Sequence, residues 1–325
     1  MDFSRRSFLS KSGIIGSALV AAPFASVQAV QAAQGKVAAS AHFTVFQVGK
    51  FKLVALLDGQ LQLPSNIVTG YDEKKAQAAH SAIYRPYTQN QLTGTVNGYL
   101  IDDGNKVYLV DTGAADLLGP SLGAFPISLK AAGYKAEDVD AVIITHLHGD
   151  HIGGLTDAAG KAAFPNAELI YHEAEANFWL SESMRSNAPK EIQVYFDLAK
   201  AKTSAYGSRQ TLVQGNNEIA SGISTVFLPG HTPGHMGIRL ESEGQTVLIW
   251  GDIIHMAAVQ FAHPEWTISF DTDQELAASS RKKILDQVAT DEIPVIGMHH
   301  DFPGFGRVLR KGSSYEYLQV SSVAG

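Results

Sequence analysis

No cysteine occurs among the 325 residues of the chain. Disulfide bonds, a thiolate nucleophile and a cysteine-ligated zinc ion are therefore excluded. A metal site in this protein has to use histidine and carboxylate donors. With 45% hydrophobic residues, a chain of this length can still bury a large core in one elaborate domain.

Positive charge is also scarce, since 25 lysines and arginines stand against 32 aspartates and glutamates, and the net charge is −7 at pH 7. Binding to a phosphate backbone needs a concentrated positive surface. The composition therefore disfavours a nucleic-acid partner, and RNA processing with it. A small molecule is the expected partner.

The apolar run near the start of the chain, from Gly13 to Ala22, is too short to cross a bilayer comfortably. Ser4-Arg5-Arg6 precedes this run, and small residues follow it up to Ala33. The order of these features resembles a twin-arginine export signal with its cleavage region. We predict that residues 1–33 are a cleaved signal peptide. Residues 34–325 would then form one domain, periplasmic or secreted, that is free of the membrane after cleavage.

The segment from Thr145 to His151 holds three histidines and an aspartate. It directly follows Ala141–Ile144, an apolar run that is too short for a helix and that we interpret as a strand buried on both faces. Imidazole and carboxylate groups are donors that Zn²⁺ and related divalent ions accept. Four such donors at the end of a buried strand predict a metal site there.

Further donor residues follow other strand-like runs. His235 lies on a loop after residues 222–228, Asp252 follows residues 246–250, and His299 follows residues 294–297. Independent strands that deliver donors to one edge are how an α/β protein builds a rigid site. The alternation of strands with helical patterns along the chain is compatible with that class.

The spacing His146-x-His148-x-Asp150-His151 resembles the motif of the metallo-β-lactamase superfamily at every position. The resemblance implies an αββα sandwich, in which two mixed β-sheets pack face to face and are flanked by helices. It also implies a metallo-hydrolase domain at residues 34–325 with two divalent metal ions, of which Zn²⁺ is the expected one. The superfamily's ligand pattern gives one ion to His146, His148 and His235, the other ion to Asp150, His151 and His299, and a bridging position to Asp252.

Two of these positions have a neighbour of the same type. His300 is the reserve for His299, which we prefer because of its offset from Phe302-Pro303-Gly304. His231 shares its loop with His235 and is expected to support that ligand without binding metal itself.

Shorter motifs resemble one branch of the superfamily, which contains methyl parathion hydrolase and its dihydrocoumarin- and acyl-lactone-hydrolysing relatives. The branch is often dimeric, so the resemblance also implies a homodimer as an option. The motifs are Gly113–Asp116, Glu175–Leu180, Ala257–Phe261 and Arg281–Lys283.

The same resemblance predicts a substrate pocket. Its residues are Leu118, Trp179, Phe196, His255, Ile268 and Phe270. An equal alternative is that Trp179 and Phe196 are ordinary core aromatics. His255 stands where the parathion-hydrolysing enzymes carry leucine, and Leu118, Ile268 and Phe270 also depart from their pattern. These departures disfavour efficient phosphotriester hydrolysis.

We therefore predict a binuclear-metal hydrolase that cleaves lactones or aryl esters through a metal-bridging hydroxide. Asp150, Asp252 and His255 are the predicted catalytic residues, with His255 orienting the carbonyl or protonating the leaving oxygen. The alternative for His255 is a pocket wall without a chemical role. Two other functions stay open: an organophosphate triester hydrolase, and a mononuclear iron dioxygenase with a thiol substrate, which uses the same histidine motif.

Overall fold

The computed structural model describes residues 42–320, so the predicted signal peptide lies outside the described residues. The first half of this region forms a sheet in the order β1-β2-β4-β5-β6-β7-β8. Its first strands pair antiparallel, and β5 to β8 pair parallel. The strands are β1 (Phe43–Val48), β2 (Phe51–Pro64), β4 (Gln91–Asp102), β5 (Val107–Val110), β6 (Ala141–Ile143), β7 (Glu168–His172) and β8 (Gln210–Val213).

The second half forms another sheet, in the order β16-β15-β14-β12-β11-β10-β9. It is mixed as well, because β12 pairs parallel with β14 whereas the other neighbours are antiparallel. The strands are β9 (Glu218–Ala220), β10 (Ile223–Phe227), β11 (Met236–Ser242), β12 (Gln245–Ile249), β14 (Val295–Ile296), β15 (Phe305–Lys311) and β16 (Ser314–Gln319).

Helices cover the outer faces of both sheets. In β6, Ile143 faces the second sheet and Val142 faces the helical layer, and both are fully buried, as expected for a strand covered on both sides. The prediction of an αββα sandwich is confirmed. The helices are α1 (Glu73–Ala82), α2 (Phe125–Ala131), α3 (Gly149–Ile152), α4 (Glu173–Trp179), α5 (Glu182–Asn187), α6 (Lys190–Ser204), α7 (Ala257–Gln260) and α8 (Gln274–Thr290).

Two parts of the structure differ from what their sequence pattern indicates. The mostly polar stretch at residues 181–189 predicts a loop, but it contains α5, whose first turn is capped by the Ser181 hydroxyl accepting from the Met184 N–H. The pattern also gives no signal for the hairpin of β15 and β16, whose strands alternate buried with exposed residues only over residues 306–309.

The ends of the two sheets meet at one place. The Met236 N–H at the start of β11 donates to the Thr145 carbonyl beyond β6 at 3.0 Å, and the Asn97 N–H in β4 donates to the Met298 carbonyl beyond β14 at 2.9 Å. These bonds join the carboxyl ends of β6 and β14 to the opposite sheet. A short ribbon of β3 (Val68–Thr69) and β13 (Thr267–Ile268) belongs to an apolar cluster next to this end.

Within residues 42–320, no helix combines the length and the apolar character needed to cross a membrane.

Candidate metal centre

The Asp252 carboxylate lies at the middle of a buried group of imidazoles. It follows β12 on a turn that begins at Gly251, whose φ of +58° suits glycine. The distances from Asp252 Oδ2 to the nearest Nε2 atoms are 3.0 Å for His299, 3.1 Å for His255, 3.3 Å for His151, 3.4 Å for His231 and 3.6 Å for His146.

Three histidines form a first donor group beside Asp252. His146 Nε2 lies 3.1 Å from His148 Nδ1 and 3.2 Å from His231 Nε2. All three donor atoms lie within 4.8 Å of one another, which is close enough for one ion to bind them together. His148 presents Nδ1 where the other two present Nε2, because it lies on the turn into α3.

A second donor group consists of Asp150, His151 and His299. Asp150 Oδ2 lies 3.6 Å from His151 Nε2 and 3.5 Å from His299 Nε2. Asp252 is close to both groups, since it forms a donor cluster with His146 and His151 as well. The described residues therefore offer two adjacent three-residue groups that share one carboxylate.

His235, the predicted third ligand of the first group, does not join that group. Its Nδ1–H donates to the Leu228 carbonyl and its Nε2 accepts from the Asp252 N–H, each at 2.8 Å. Both ring nitrogens are therefore occupied by backbone partners, and no lone pair is left for a metal. The prediction is corrected: His231 presents the donor, and His235 supports the turn that carries Asp252, which reverses the roles assigned from the sequence.

His299 and His300 are separated clearly by their surroundings. His299 Nε2 points to Asp252, whereas the His300 ring is fully buried between Trp250, Phe261 and Tyr317. His300 belongs to none of the candidate donor clusters among residues 42–320. The geometry therefore favours His299 over its neighbour.

Each Nε2-presenting ligand candidate is anchored through its other ring nitrogen. An Nδ1–H bond to an oxygen fixes the ring orientation and leaves the Nε2 lone pair facing the centre. The partners are the Thr145 hydroxyl for His146 at 3.1 Å, and, each at 2.7 Å, the Asp111 carboxylate for His151, the Asp271 carboxylate for His231 and the Thr95 carbonyl for His299.

Burial and charge act in opposite directions on these groups. Burial lowers the pKa of His146, His148 and His231 well below the ordinary 6.5, so these imidazoles are neutral as metal ligands must be. Burial also acts to lower the pKa of His299, but the Asp252 charge outweighs it and raises that pKa to about 8.

The donor set fits divalent metal ions. His151 Nε2 and Asp252 Oδ1 are buried and have no hydrogen-bond partner in the described part of the chain, although buried polar atoms are normally satisfied. Imidazole and carboxylate are the donors expected for Zn²⁺ when cysteine is absent. One ion would bind the first donor group, a second ion would bind the second group, and both would share Asp252.

His255 is an additional imidazole at the centre. Its backbone N–H donates to Gln260 Oε1 at 2.8 Å, which fixes the loop after Asp252. The ring is 4% exposed, and neither of its nitrogens has a hydrogen-bond partner among residues 42–320. Together with His231 and Asp252 it forms a further donor cluster. His255 therefore lies within the donor centre, beside Asp252 and His231, and its chemical role stays a prediction.

The other predicted pocket residues fall into two places. Leu118, Ile268 and Phe270 belong to the apolar cluster that includes Met256, the neighbour of His255. Trp179 and Phe196 belong to the helical layer over the first sheet, with ring centroids 4.9 Å apart. The Trp179 ring also contacts the His148 ring at 5.4 Å, whereas Phe196 has no such contact with a ligand candidate.

Several residues that shape the centre were missed by the sequence reasoning. Glu175, at a buried position of α4, accepts from the Leu147 N–H at 2.9 Å and from the Gly234 N–H at 2.7 Å. It therefore joins the turn of His146 and His148 to the loop of His231. Asp111 and Asp271 orient two of the histidines. Acidic residues at such offsets give no local signal, since only the fold brings them near the donors.

Residues 93–299 match the metallo-beta-lactamase superfamily. The chain belongs to this superfamily. Membership confirms the predicted family, and the hydrolase class and the two-metal character agree with the donor groups and with the known relatives.

Three known proteins are similar to this chain in sequence or in fold. An N-acyl homoserine lactonase of Bacillus cereus is 29% identical over 173 residues, which are 53% of this chain and 60% of that enzyme. The crystal structure of the hydrolase AbOPH has a TM-score of 0.82 at 30% identity and covers 88% of this chain and 99% of its own. AidC, a dizinc quorum-quenching lactonase, has a TM-score of 0.80 at 26% identity and covers 87% and 98%.

Replacing His231 by alanine is expected to lower the metal content from two ions per chain to one, because the first group loses a donor. His235→Asn is expected to keep two ions and to lower the free energy of unfolding, since it changes only the backbone partners of the Asp252 turn. Metal analysis of both purified variants measures this. Loss of an ion in His235→Asn with retention in His231→Ala would restore the original assignment.

Metal binding is expected to release protons at pH 7. The pKa of His299 in the metal-free protein is about 8, above the ordinary 6.5, so this ring carries a proton that a metal must displace. Burial also acts to lower the pKa of His151, but the Asp252, Asp150 and Asp111 charges outweigh it and raise that pKa well above 6.5. The apparent affinity should therefore rise with pH through pH 8 and beyond. Calorimetric titration in two buffers with different ionisation enthalpies measures the release, and His299→Gln should reduce it. Equal heats in both buffers would contradict this expectation.

Proposed function

We propose that this chain hydrolyses lactones, with aryl esters as a related substrate class, and that it does so with two Zn²⁺ ions. The observation that carries the proposal is the position of Asp252 between two complete donor groups. The similarity to an N-acyl homoserine lactonase and to the dizinc lactonase AidC supports lactones as the substrate class.

In this proposal, each ion has its own group of protein ligands. His146, His148 and His231 would hold one ion, and Asp150, His151 and His299 would hold the other. Asp252 would be shared, since its carboxylate lies close to His146, His151, His231 and His299.

A bound metal pair would lower the pKa of a water molecule and would polarise the substrate carbonyl. As the water oxygen attacks the carbonyl carbon, Asp150 would accept a proton from it. The ring carbon–oxygen bond then breaks, and the leaving alkoxide takes a proton from His255. The products are a hydroxyl and a carboxylate, so hydrolysis releases one proton overall.

The apolar cluster beside His255 suits the organic part of such a substrate. Leu118, Ile268 and Phe270 lie in this cluster with Met256, and Trp179 lies on the other side against His148. Polar recognition groups are few in this set. An apolar acyl or aromatic substituent is therefore the expected companion of the lactone ring.

The two alternative functions have less support. A phosphotriester would offer no carbonyl for His255 to orient, although the metal centre could still act on it. A mononuclear iron dioxygenase would need one ion, and the second donor group of Asp150, His151 and His299 would then have no role. Metal analysis separates this last alternative, since one iron per chain would favour it.

A substrate panel on the metal-loaded protein tests the proposal. An N-acyl homoserine lactone and dihydrocoumarin are expected to be hydrolysed with a larger kcat/KM than an aryl phosphotriester. His255→Leu is expected to lower kcat for the lactones by about 10²-fold, the usual size of a general-acid contribution, and to change phosphotriester hydrolysis much less.

His42→Leu is the matched control, because it removes an exposed histidine at the start of β1. It should leave every rate unchanged. No turnover of any lactone or aryl ester by a protein that holds two ions would refute the proposal, and faster phosphotriester than lactone hydrolysis would support the organophosphate alternative.

We further propose that the enzyme works outside the cytoplasm after twin-arginine export. The support is the order Arg5-Arg6, an apolar run and small residues up to Ala33. Replacing both arginines by lysine is expected to keep the protein in the cytoplasm with its full mass, whereas the unchanged protein should reach the periplasm shortened by about the first 33 residues, counted from the sequence. Mass spectrometry of cell fractions measures this, and an uncleaved protein in both cases would contradict it.

A further inference from the structure

We propose that Arg281 is a positioning residue for one of the two metal positions, that of His146, His148 and His231. Among the hydrogen bonds and ion pairs of residues 42–320, Arg281 has none with a ligand side chain, and it acts through Asp271 and through the backbone beside Asp252. The inference rests on the two-metal centre of the proposed function. It adds that the zinc affinity of the first metal position depends on Arg281, whereas that of the second does not.

Arg281 is a fully enclosed cation in α8, with 1% of its surface exposed. Its Nε–H donates to the Ile253 carbonyl at 2.7 Å, and Nη1 donates to the Trp266 carbonyl at 2.8 Å and the Pro264 carbonyl at 3.1 Å. Ile253 follows Asp252 directly. A single guanidinium therefore fixes the start and the end of the segment that carries His255.

The same guanidinium lies against the partner of His231. Asp271 accepts from His231 Nδ1 at 2.7 Å through Oδ1 and from the Ile268 N–H at 3.0 Å through Oδ2. Arg281 Nη2 lies 3.9 Å from that Oδ2. Both side chains are buried and Asp271 is the counter-charge of Arg281, and such a pair is costly to break from one side.

The space around this contact is closely packed. Between α8 and the centre, where Leu228, His231, Asp252, Ile253 and Arg281 are among the lining residues, there is no room for a water molecule. Removal of the guanidinium takes away the hydrogen bonds that hold residues 253–266 and the cation beside Asp271. Asp271 orients His231, so the first metal position loses a support that the second position does not share.

The second metal position has a different support. Its histidine His151 is oriented by Asp111, which accepts from the Thr145 N–H and the Thr145 hydroxyl at 2.8 Å each. Among the ion pairs within residues 42–320, Asp111 has none with a lysine or an arginine. His299 is held by the Thr95 carbonyl. Neither residue depends on α8, so this position is expected to tolerate changes at Arg281.

The experiment measures the zinc affinity of each position separately, by competition with a chromophoric chelator. His148→Ala disables the first position and Asp150→Ala disables the second, so each background reports the remaining one. Arg281→Met is expected to lower the affinity by about 10- to 100-fold in the Asp150→Ala background, the usual cost of losing a residue that orients a ligand. In the His148→Ala background the affinity should change less than threefold.

A double-mutant cycle then asks whether Arg281 acts through Asp271. The double variant Arg281→Met/Asp271→Asn should lose less zinc affinity, on a logarithmic scale, than the sum of the losses of the two single variants, because both changes remove the same support. In the double variant Arg281→Met/Asp111→Asn, the two losses should add. Arg310→Met is the control, since Arg310 is a half-exposed arginine that pairs with Asp286 of α8, and it should change neither affinity.

Arg281→Lys is the second variant, in case Arg281→Met fails to fold without metal. It keeps the charge but loses the fork of donors, and should restore part of the affinity of the first position. Equal losses at both positions, or additivity with Asp271→Asn, would overturn the inference. No step of this experiment uses a substrate. If Arg281→Met lowers the affinity of the first position only, but the protein has no lactonase activity, the proposed function is refuted and this inference stands. Binding of a single ion by the unchanged chain would overturn both.

Discussion

The structure depends on keeping the Asp252 carboxylate and its surrounding imidazoles together in a dry place. Five Nε2 atoms lie within 3.6 Å of one oxygen of Asp252. Without other bonds, buried imidazoles would gain little from this arrangement, because burial disfavours their charged forms. The fold compensates by giving four of these rings, His146, His151, His231 and His299, a hydrogen bond on Nδ1, so their orientation is set before an ion arrives.

This constraint explains why the centre lies where the two sheets meet. Ligands come from the end of β6 in one sheet and from the ends of β12 and β14 in the other. The backbone bonds from Met236 to Thr145 and from Asn97 to Met298 join these ends directly. Asn97 and Tyr99 also donate to the Gly297 carbonyl, so the loop of His299 is held by side chains of the facing sheet. Apolar side chains between the two sheets, such as Ile143 and Ile249, pack against one another and fix the separation of the sheets.

How much of this could be predicted follows from how local each signal is. The motif at residues 146–151 predicted the fold and the class of metal ion. It also supplied part of each ligand group, because its four donors lie on one turn. Asp252 and His299 were found because each ends a strand. His231 and His235 were exchanged because they share one loop, and the sequence cannot tell which ring faces inward and which bonds Leu228. Glu175 and Arg281 were noted only as parts of motifs that resemble the branch, and Asp271 was not noted. None could be linked to the centre from the sequence, since each meets its partner only through the tertiary fold. The hairpin at residues 305–319 lacked a regular alternation, because much of it is partly exposed.

The donors are divided along the chain, with His146, His148, Asp150 and His151 in its first half and His231, Asp252 and His299 in its second. A ribosome that has completed only the first sheet has produced a histidine-rich turn without the carboxylate that joins the two groups. The first donor group and Asp252 are present once residue 252 has been synthesised, whereas the second group lacks His299 until β14 has been passed. Completion of the two-group centre is in this sense a late event of biosynthesis, and its order follows the order of the strands along the chain.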